Sequence, residues 1–192
     1  MRDLDRPDDV RAVVLVEGAS DASAVHALAR RYERDLAAER VLVVPMGGAT
    51  SVGRFVEQWG PAGRDVRLAG LYDVAEERWF ARALERAGVG TDIRADELAA
   101  LGFGRCVADL EDELIRALGA DAVIDALAAV GELRAFRTLQ RQPAQQGRTV
   151  EAQLRRFMGT RSGRKESAAR VLVDALDLDR VPPPLRLVFD AL

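Results

Sequence analysis

Residues 13–21 read Val13-Val14-Leu15-Val16-Glu17-Gly18-Ala19-Ser20-Asp21, an apolar run that stops at an acid, a glycine and a second acid. Four consecutive branched apolar residues predict a strand covered on both faces, as in a parallel sheet. In such sheets ligand and catalytic groups gather at the carboxyl ends of the strands, where Glu17 and Asp21 fall. Gly18 suits a sharp turn, Ser20 or Asp21 suits a helix cap, and Val25, Leu28, Ala29 and Tyr32 carry helical spacing over 22–32. Taken alone, the stretch reads equally well as a strand end with a helix cap and as the first edge of a site.

Working outward, the same unit recurs. Val41–Pro45 is a second apolar run, followed by Gly47-Gly48 and a helix over 50–59. A third strand over 66–72 ends at Asp73 and leads into a helix over 76–87 through Trp79, Phe80, Ala83 and Leu84. A fourth strand over 105–108 leads into a helix beginning near Asp109. Strands alternating with helices predict an α/β fold with a parallel four-stranded sheet flanked by helices. Beyond Asp121 the pattern is helical, over 122–130, 133–139, 150–158 and 167–176, until Pro182-Pro183-Pro184 breaks the chain before a last short segment. The expected organisation is a sheet domain over 1–120 and a helical C-terminal extension over 121–192 packed on it.

Composition narrows the function classes. With 192 residues and 48% apolar content, the chain can bury a real core. No apolar run approaches the roughly 20 residues of a membrane span, and the acidic start (Asp3, Asp5, Asp8, Asp9) does not resemble a signal peptide, so the cytoplasm and no membrane partner are expected. One cysteine, Cys106, excludes an internal disulfide and a thiolate zinc cluster, and one histidine, His26, excludes multi-histidine metal sites. The net charge of -3 is unevenly spread: residues 1–131 carry 16 basic and 24 acidic side chains, whereas 132–170 carry ten basic and three acidic. An acidic body joined to a basic segment pairs a metal site with a phosphate-binding surface; solvated arginine-rich helices explain the same charges more simply.

The acids fall where the predicted strands end. Glu17 and Asp21 follow the first, Asp73 the third, and Glu111, with Asp109, Asp112 and Glu113, opens the helix after the fourth. Carboxylates converging on one edge repel one another and lose hydration, which a bound cation offsets. Hard oxygen donors favour Mg²⁺ or Mn²⁺, and two such ions about 4 Å apart are a recurrent way to cleave phosphodiesters. Gly47 and Gly48 allow a substrate backbone to approach the end of the second strand. There is no GxxxxGK[ST] phosphate loop.

Strand-Glu17-Gly18-x-x-Asp21, the glycine pair after the second strand, Asp73 after the third and Asp109-Leu110-Glu111 after the fourth together resemble a TOPRIM domain, most closely the TOPRIM module of the OLD-family (overcoming lysogenization defect) nucleases. The resemblance covers about 11–118 and continues more weakly to about 176. It implies metal-dependent cleavage or transfer at phosphodiester bonds, with Glu17 in acid/base and metal roles and Glu17, Asp21, Asp73 and Glu111 as ligands. The family's lysine beyond the sheet matches Lys165 in Ser162-Gly163-Arg164-Lys165, with Arg164 beside it as a substrate contact. Lys165 is the only lysine among 28 basic residues, and a compact ammonium suits charge stabilisation at a scissile phosphate.

The chain departs from the family pattern at one site position. TOPRIM domains commonly carry Asp-x-Asp after the third strand, whereas this chain reads Asp73-Val74-Ala75-Glu76-Glu77. Ala75 removes the second acid, for which Glu76, Glu77 and Glu113, or a backbone or water oxygen, are the candidate substitutes; Glu76 and Glu77 equally suit a helix amino terminus. OLD nucleases also carry an ATPase ahead of the module, so either the chain acts alone or its ATPase is a separate polypeptide; nucleic acid is the expected partner, and a homodimer stays open. The expected function is a divalent-metal-dependent phosphodiester hydrolase, a nuclease on DNA or RNA. The alternatives are a non-catalytic TOPRIM-fold module that binds nucleic acid or regulates, and a small-nucleotide phosphohydrolase or nucleotidyl transferase.

Overall fold

A computed structural model describes residues 10–160 and 163–192 of the chain. The acids Asp3, Asp5, Asp8 and Asp9, Ser162 and the Arg164 side chain lie outside the described residues. Strands β1 (Ala12–Val16), β2 (Val41–Pro45), β3 (Arg67–Asp73) and β4 (Phe103–Cys106) are parallel and stand in the order β2-β1-β3-β4. Helices α1 (Ala19–Arg31), α2 (Val52–Trp59), α3 (Glu77–Arg86) and α4 (Ala95–Ala100) accompany the strands. After β4 the chain is helical: α5 (Leu110–Leu118), α6 (Ala120–Ala129), α7 (Leu133–Gln140), α8 (Val150–Met158), α9 (Arg164–Ala175) and α10 (Pro183–Asp190). The four-stranded parallel sheet with flanking helices and a helical C-terminal region is the architecture expected from the sequence.

All five residues of β1 are fully buried, as a central strand covered on both sides must be. Their alternation divides the core in two. Val13 and Leu15 face a cluster built with Val52, Val56, Trp59, Phe80, Leu84 and Leu98 of α2, α3 and α4. Ala12, Val14 and Val16 face a second cluster in which α1 and α5 meet the later helices through Phe136, Leu154, Leu172 and Val188. The helices beyond residue 120 therefore complete the core on one side of the sheet, with α9 lying against α1. Among the described residues no helix is long and apolar enough to cross a membrane.

Four local expectations change. Helix α1 starts at Ala19, three residues early, because the Gly18 carbonyl already accepts the Ala22 N–H. Gly18 itself is extended (φ -146°), so the turn there makes no demand for a left-handed residue. Strand β4 lies two residues earlier than 105–108: its register runs from Gly70 opposite Phe103 to Asp73 opposite Cys106, which leaves Val107 exposed beyond the sheet. The proline triplet begins α10 instead of breaking the chain, since a proline in the first turn lacks only an N–H that has no partner within the helix. That helix packs so closely on β4 that a Cβ at Gly104 would stand 2.3 Å from the Pro184 carbonyl oxygen.

Candidate metal centre

The strand order reverses direction between β1 and β3, since β2 was added on one side and β4 on the other. At such a switch point the connections leave in opposite directions and open a crevice at the carboxyl ends of the two central strands. Glu17 directly follows β1 and Asp73 is the last residue of β3. The two acids therefore flank the crevice because of topology, not local sequence. Backbone bonds fix the Glu17 side of it: the Gly47 and Gly48 N–H groups donate to the Glu17 carbonyl at 3.0 and 3.2 Å. Both glycines have positive φ, 75° and 116°, which a residue with a side chain adopts only under strain.

Asp73 ends in extended conformation, and residues Val74–Glu76 form a single 3-10 turn before α3. That turn carries Glu76 back over the strand end. Single oxygens of Glu17, Asp73 and Glu76 all lie within 4.8 Å of one another, each residue partly exposed to the crevice. Of the three acids the sequence offers in place of the one missing at Ala75, Glu76 is thus the one brought to Glu17 and Asp73. Glu77 pairs instead with Arg105 at 3.2 Å. Glu113 accepts the Val107 N–H at 2.8 Å and pairs with Arg116 at 2.5 Å, which braces the β4–α5 loop.

Two further acids lie deeper. Asp21, 9% exposed, reaches back from the first turn of α1 to accept the Gly18 N–H at 3.1 Å. Glu111, in the first turn of α5, is 2% exposed, and neither of its carboxylate oxygens has an aligned hydrogen-bond donor. Its neutralising contact is the ion pair with Lys165, whose Nζ sits 3.1 Å from Oε2. Burial works against the charge of Lys165, but Glu111 outweighs it and holds the ammonium above its usual range. So the only lysine in the chain meets the deepest acid of the cluster, across 54 residues of sequence. Asp109, one turn from this pair, caps α5 by accepting the Asp112 N–H at 2.9 Å and takes two donors of Arg155 from α8 at 3.0 and 3.2 Å.

The electrostatics follow from this geometry. Burial, then the charges of Glu76 and Glu17, push the Asp73 carboxyl up to about 7. Burial and the charge of Glu111 push Asp21 up to about 6. Glu76 rises through burial and Glu17, and Glu111 rises through burial, with Lys165 opposing. Carboxyls gathered this way bind a proton or a cation at neutral pH. The donors are all hard oxygens and the crevice is open at Glu17, Asp73 and Glu76, so the residues fit a hard divalent cation such as Mg²⁺ or Mn²⁺. A narrow cleft lined by Glu17, Asp21, Asp73 and Cys106 leads to the deeper acids.

Sequence reasoning missed the Arg155–Asp109 contact. The basic character of 150–158 was visible, but no spacing rule reaches over 46 residues.

Comparisons with known proteins agree with this picture. Residues 10–62 match the family model of the overcoming lysogenization defect protein-like TOPRIM domain, the segment that carries Glu17, Asp21, Gly47 and Gly48. The fold is that of solved OLD C-terminal regions. The C-terminal region of the Burkholderia pseudomallei OLD protein superposes with a TM-score of 0.71 at 19% identity, covering 95% of this chain and 96% of that one. Two structures of the C-terminal region of the Xanthomonas campestris pv. campestris OLD protein, phased with mercury and with iodine, give TM-scores of 0.69 and 0.67 at 22% and 24% identity. They too match over 95% of this chain, and over 94% and 93% of their own. No curated protein sequence matches at a significant level.

Proposed function

We propose that this OLD-like TOPRIM chain is a divalent-metal-dependent phosphodiester hydrolase acting on nucleic acid. The observation that carries the reading is the convergence of Glu17, Asp73 and Glu76 within 4.8 Å at the switch point of a parallel sheet. In this reading those three would hold one Mg²⁺ or Mn²⁺ ion, and Asp21 and Glu111 would help hold a second. A bound divalent cation supplies positive charge to phosphoryl oxygens and acidifies water.

The chain's own residues then have distinct tasks. Glu17, directly after β1, accepts the proton of the attacking water. Glu76 takes over the charge that Ala75 cannot provide, from a 3-10 turn instead of a strand. Lys165 neutralises Glu111 in the resting site and offers its Nζ to the charge that builds on the phosphate. Gly47 and Gly48 hold Glu17 through its carbonyl and leave room for a substrate backbone. Residues 121–192 act as an extension of the 1–120 sheet domain, bringing Lys165 and Arg155 to the acidic edge.

The test is cleavage of labelled DNA and RNA oligonucleotides in Mg²⁺ or Mn²⁺ by the parent and by Glu17→Gln, Asp73→Asn and Glu76→Gln. Activity that requires metal and falls by about 100-fold or more in each variant supports the reading. Equal activity in all four proteins, or activity indifferent to EDTA, sinks it. Salt-sensitive binding without cleavage would point to the non-catalytic module, and turnover confined to mononucleotides would point to the small-nucleotide hydrolase.

A further inference from the structure

The strongest feature outside the acidic edge is a groove between α7 and α8. Arg134, Thr138 and Gln142, four residues apart, share one face of α7 and its extension and form one wall. Thr160, just past α8, closes the other side, and Leu139 and Phe157 make the floor. Arg137 and Arg141 flank the same face, and both are exposed. No carboxylate lines the groove. Among the described residues Arg134, Arg137 and Arg141 form no ion pair, unlike Arg155, Arg116 and Arg105.

The chemistry of the lining selects the occupant. Leu139 and Phe157 are 7% and 2% exposed, so the floor offers no apolar patch for a partner helix. Its polar groups toward solvent are the Arg134 guanidinium, the Thr138 and Thr160 hydroxyls and the Gln142 amide. Guanidinium groups without acid partners are forks suited to phosphate oxygens. Arg155 of α8 grips Asp109, at the cap of α5 two residues before Glu111, while Phe157, two residues on and so about 200° round the same helix, floors the groove, which therefore lies across α8 from the centre.

We propose that the α7–α8 groove is a second anchor for the substrate strand, in which Arg134, Arg137 and Arg141 hold phosphodiester backbone away from the bond being cut. This rests on the reading of the chain as a nucleic-acid phosphodiesterase. It gives a role to three of the ten basic residues over 132–170, beside Lys165 and, indirectly, Arg155 at the metal centre.

The experiment compares the parent with Arg134→Ala/Arg137→Ala/Arg141→Ala in two assays. The first is fluorescence anisotropy of a labelled single-stranded oligonucleotide in EDTA across a salt series. The second is Mn²⁺-dependent hydrolysis of bis(p-nitrophenyl) phosphate, a diester too small to reach the groove. The triple variant is expected to bind the oligonucleotide about tenfold or more weakly, with a salt slope smaller by about 2, from about 0.7 counterions per phosphate contact on a single strand. Its hydrolysis of the small diester is expected to match the parent, which also shows that the variant is folded. A control with Arg82→Ala/Arg94→Ala/Arg180→Ala removes equal charge elsewhere and should bind like the parent. Unchanged binding in the groove variant, equal loss in the control, or competition by polyglutamate as effective as by unlabelled oligonucleotide would overturn the anchor. Failure of the parent to hydrolyse the small diester, or equal hydrolysis by Glu17→Gln, would remove the catalytic reading while the binding series still decides the groove.

Discussion

Replacing Asp73 with Asn should stabilise the metal-free protein at pH 8 while removing its response to metal. In the fold the Asp73 carboxyl is raised from 3.8 to about 7 by burial and by Glu76 and Glu17. An acid whose pKa is higher folded than unfolded binds more protons in the native state between those two values. Stability therefore falls as pH rises from about 4 to about 7, and the whole cost is present above that window. The full shift corresponds to roughly 4 kcal/mol at about 1.36 kcal/mol per unit. Asp73 is only half-buried, and solvent screening leaves about 1–2 kcal/mol. Asn keeps the shape and removes the charge, so Asp73→Asn should raise the melting temperature in EDTA at pH 8 by about 2–8 °C, at about 2–4 °C per kcal/mol for a chain of this size. At pH 5 the advantage should be smaller, because part of the cost is relieved by protonation. Adding Mn²⁺ should raise the parent's melting temperature and leave the variant's unchanged, because a ligand stabilises only the state that binds it. Thermal unfolding in EDTA and in Mn²⁺, at both pH values, measures all of this. A variant less stable than the parent at pH 8 without metal would refute the claim that these carboxylates are crowded together at a cost.

Other perturbations probe separate parts of the account. Lys165→Met should cut metal-dependent cleavage by about 100-fold or more and, by leaving Glu111 buried without a counter-charge, lower stability by about 1–2 kcal/mol. Adding Glu111→Gln to it should restore the melting temperature but not the activity. Gly104→Ala should cost about 1–3 kcal/mol in urea unfolding, because its Cβ would collide with the Pro184 backbone and force α10 off β4. Asp109→Ala should cost about 1 kcal/mol through the lost cap of α5 and free Arg155, readable as a shifted melting temperature.

The strand that opens the chain carried its meaning locally. Four branched apolar residues before Glu17 require burial on both faces, and burial on both faces requires a central parallel strand. The order of the acids after the first, third and fourth strands was legible for the same reason, since strand ends converge in a parallel sheet whatever the loops do. The misplaced elements failed for local reasons. Phe103 and Gly104 look weak as a strand until α10 is seen covering them, and Pro182-Pro183-Pro184 reads as a break until the first turn of α10 is seen to need no N–H there. The choice between Glu76 and Glu113 depended on a 3-10 turn of three residues and on whether Val107 and Arg116 occupy Glu113, neither of which periodicity encodes. The family resemblance pointed to Lys165 as a phosphate contact and to Glu111 as a ligand, but neither it nor the spacing held any sign that the two meet. Arg155 on Asp109 had neither source.

The central claim is that Glu17, Asp73 and Glu76 form a divalent-cation site at the sheet's switch point. Calorimetric titration of Mn²⁺ into the metal-free parent at pH 8, repeated with Glu17→Gln and Glu76→Gln, tests it most directly. The account predicts saturable binding in the parent that is lost or weakened by about tenfold or more in each variant, since each removes one charged oxygen donor. No heat of binding at millimolar Mn²⁺ in the parent, or equal affinity in all three proteins, would contradict it.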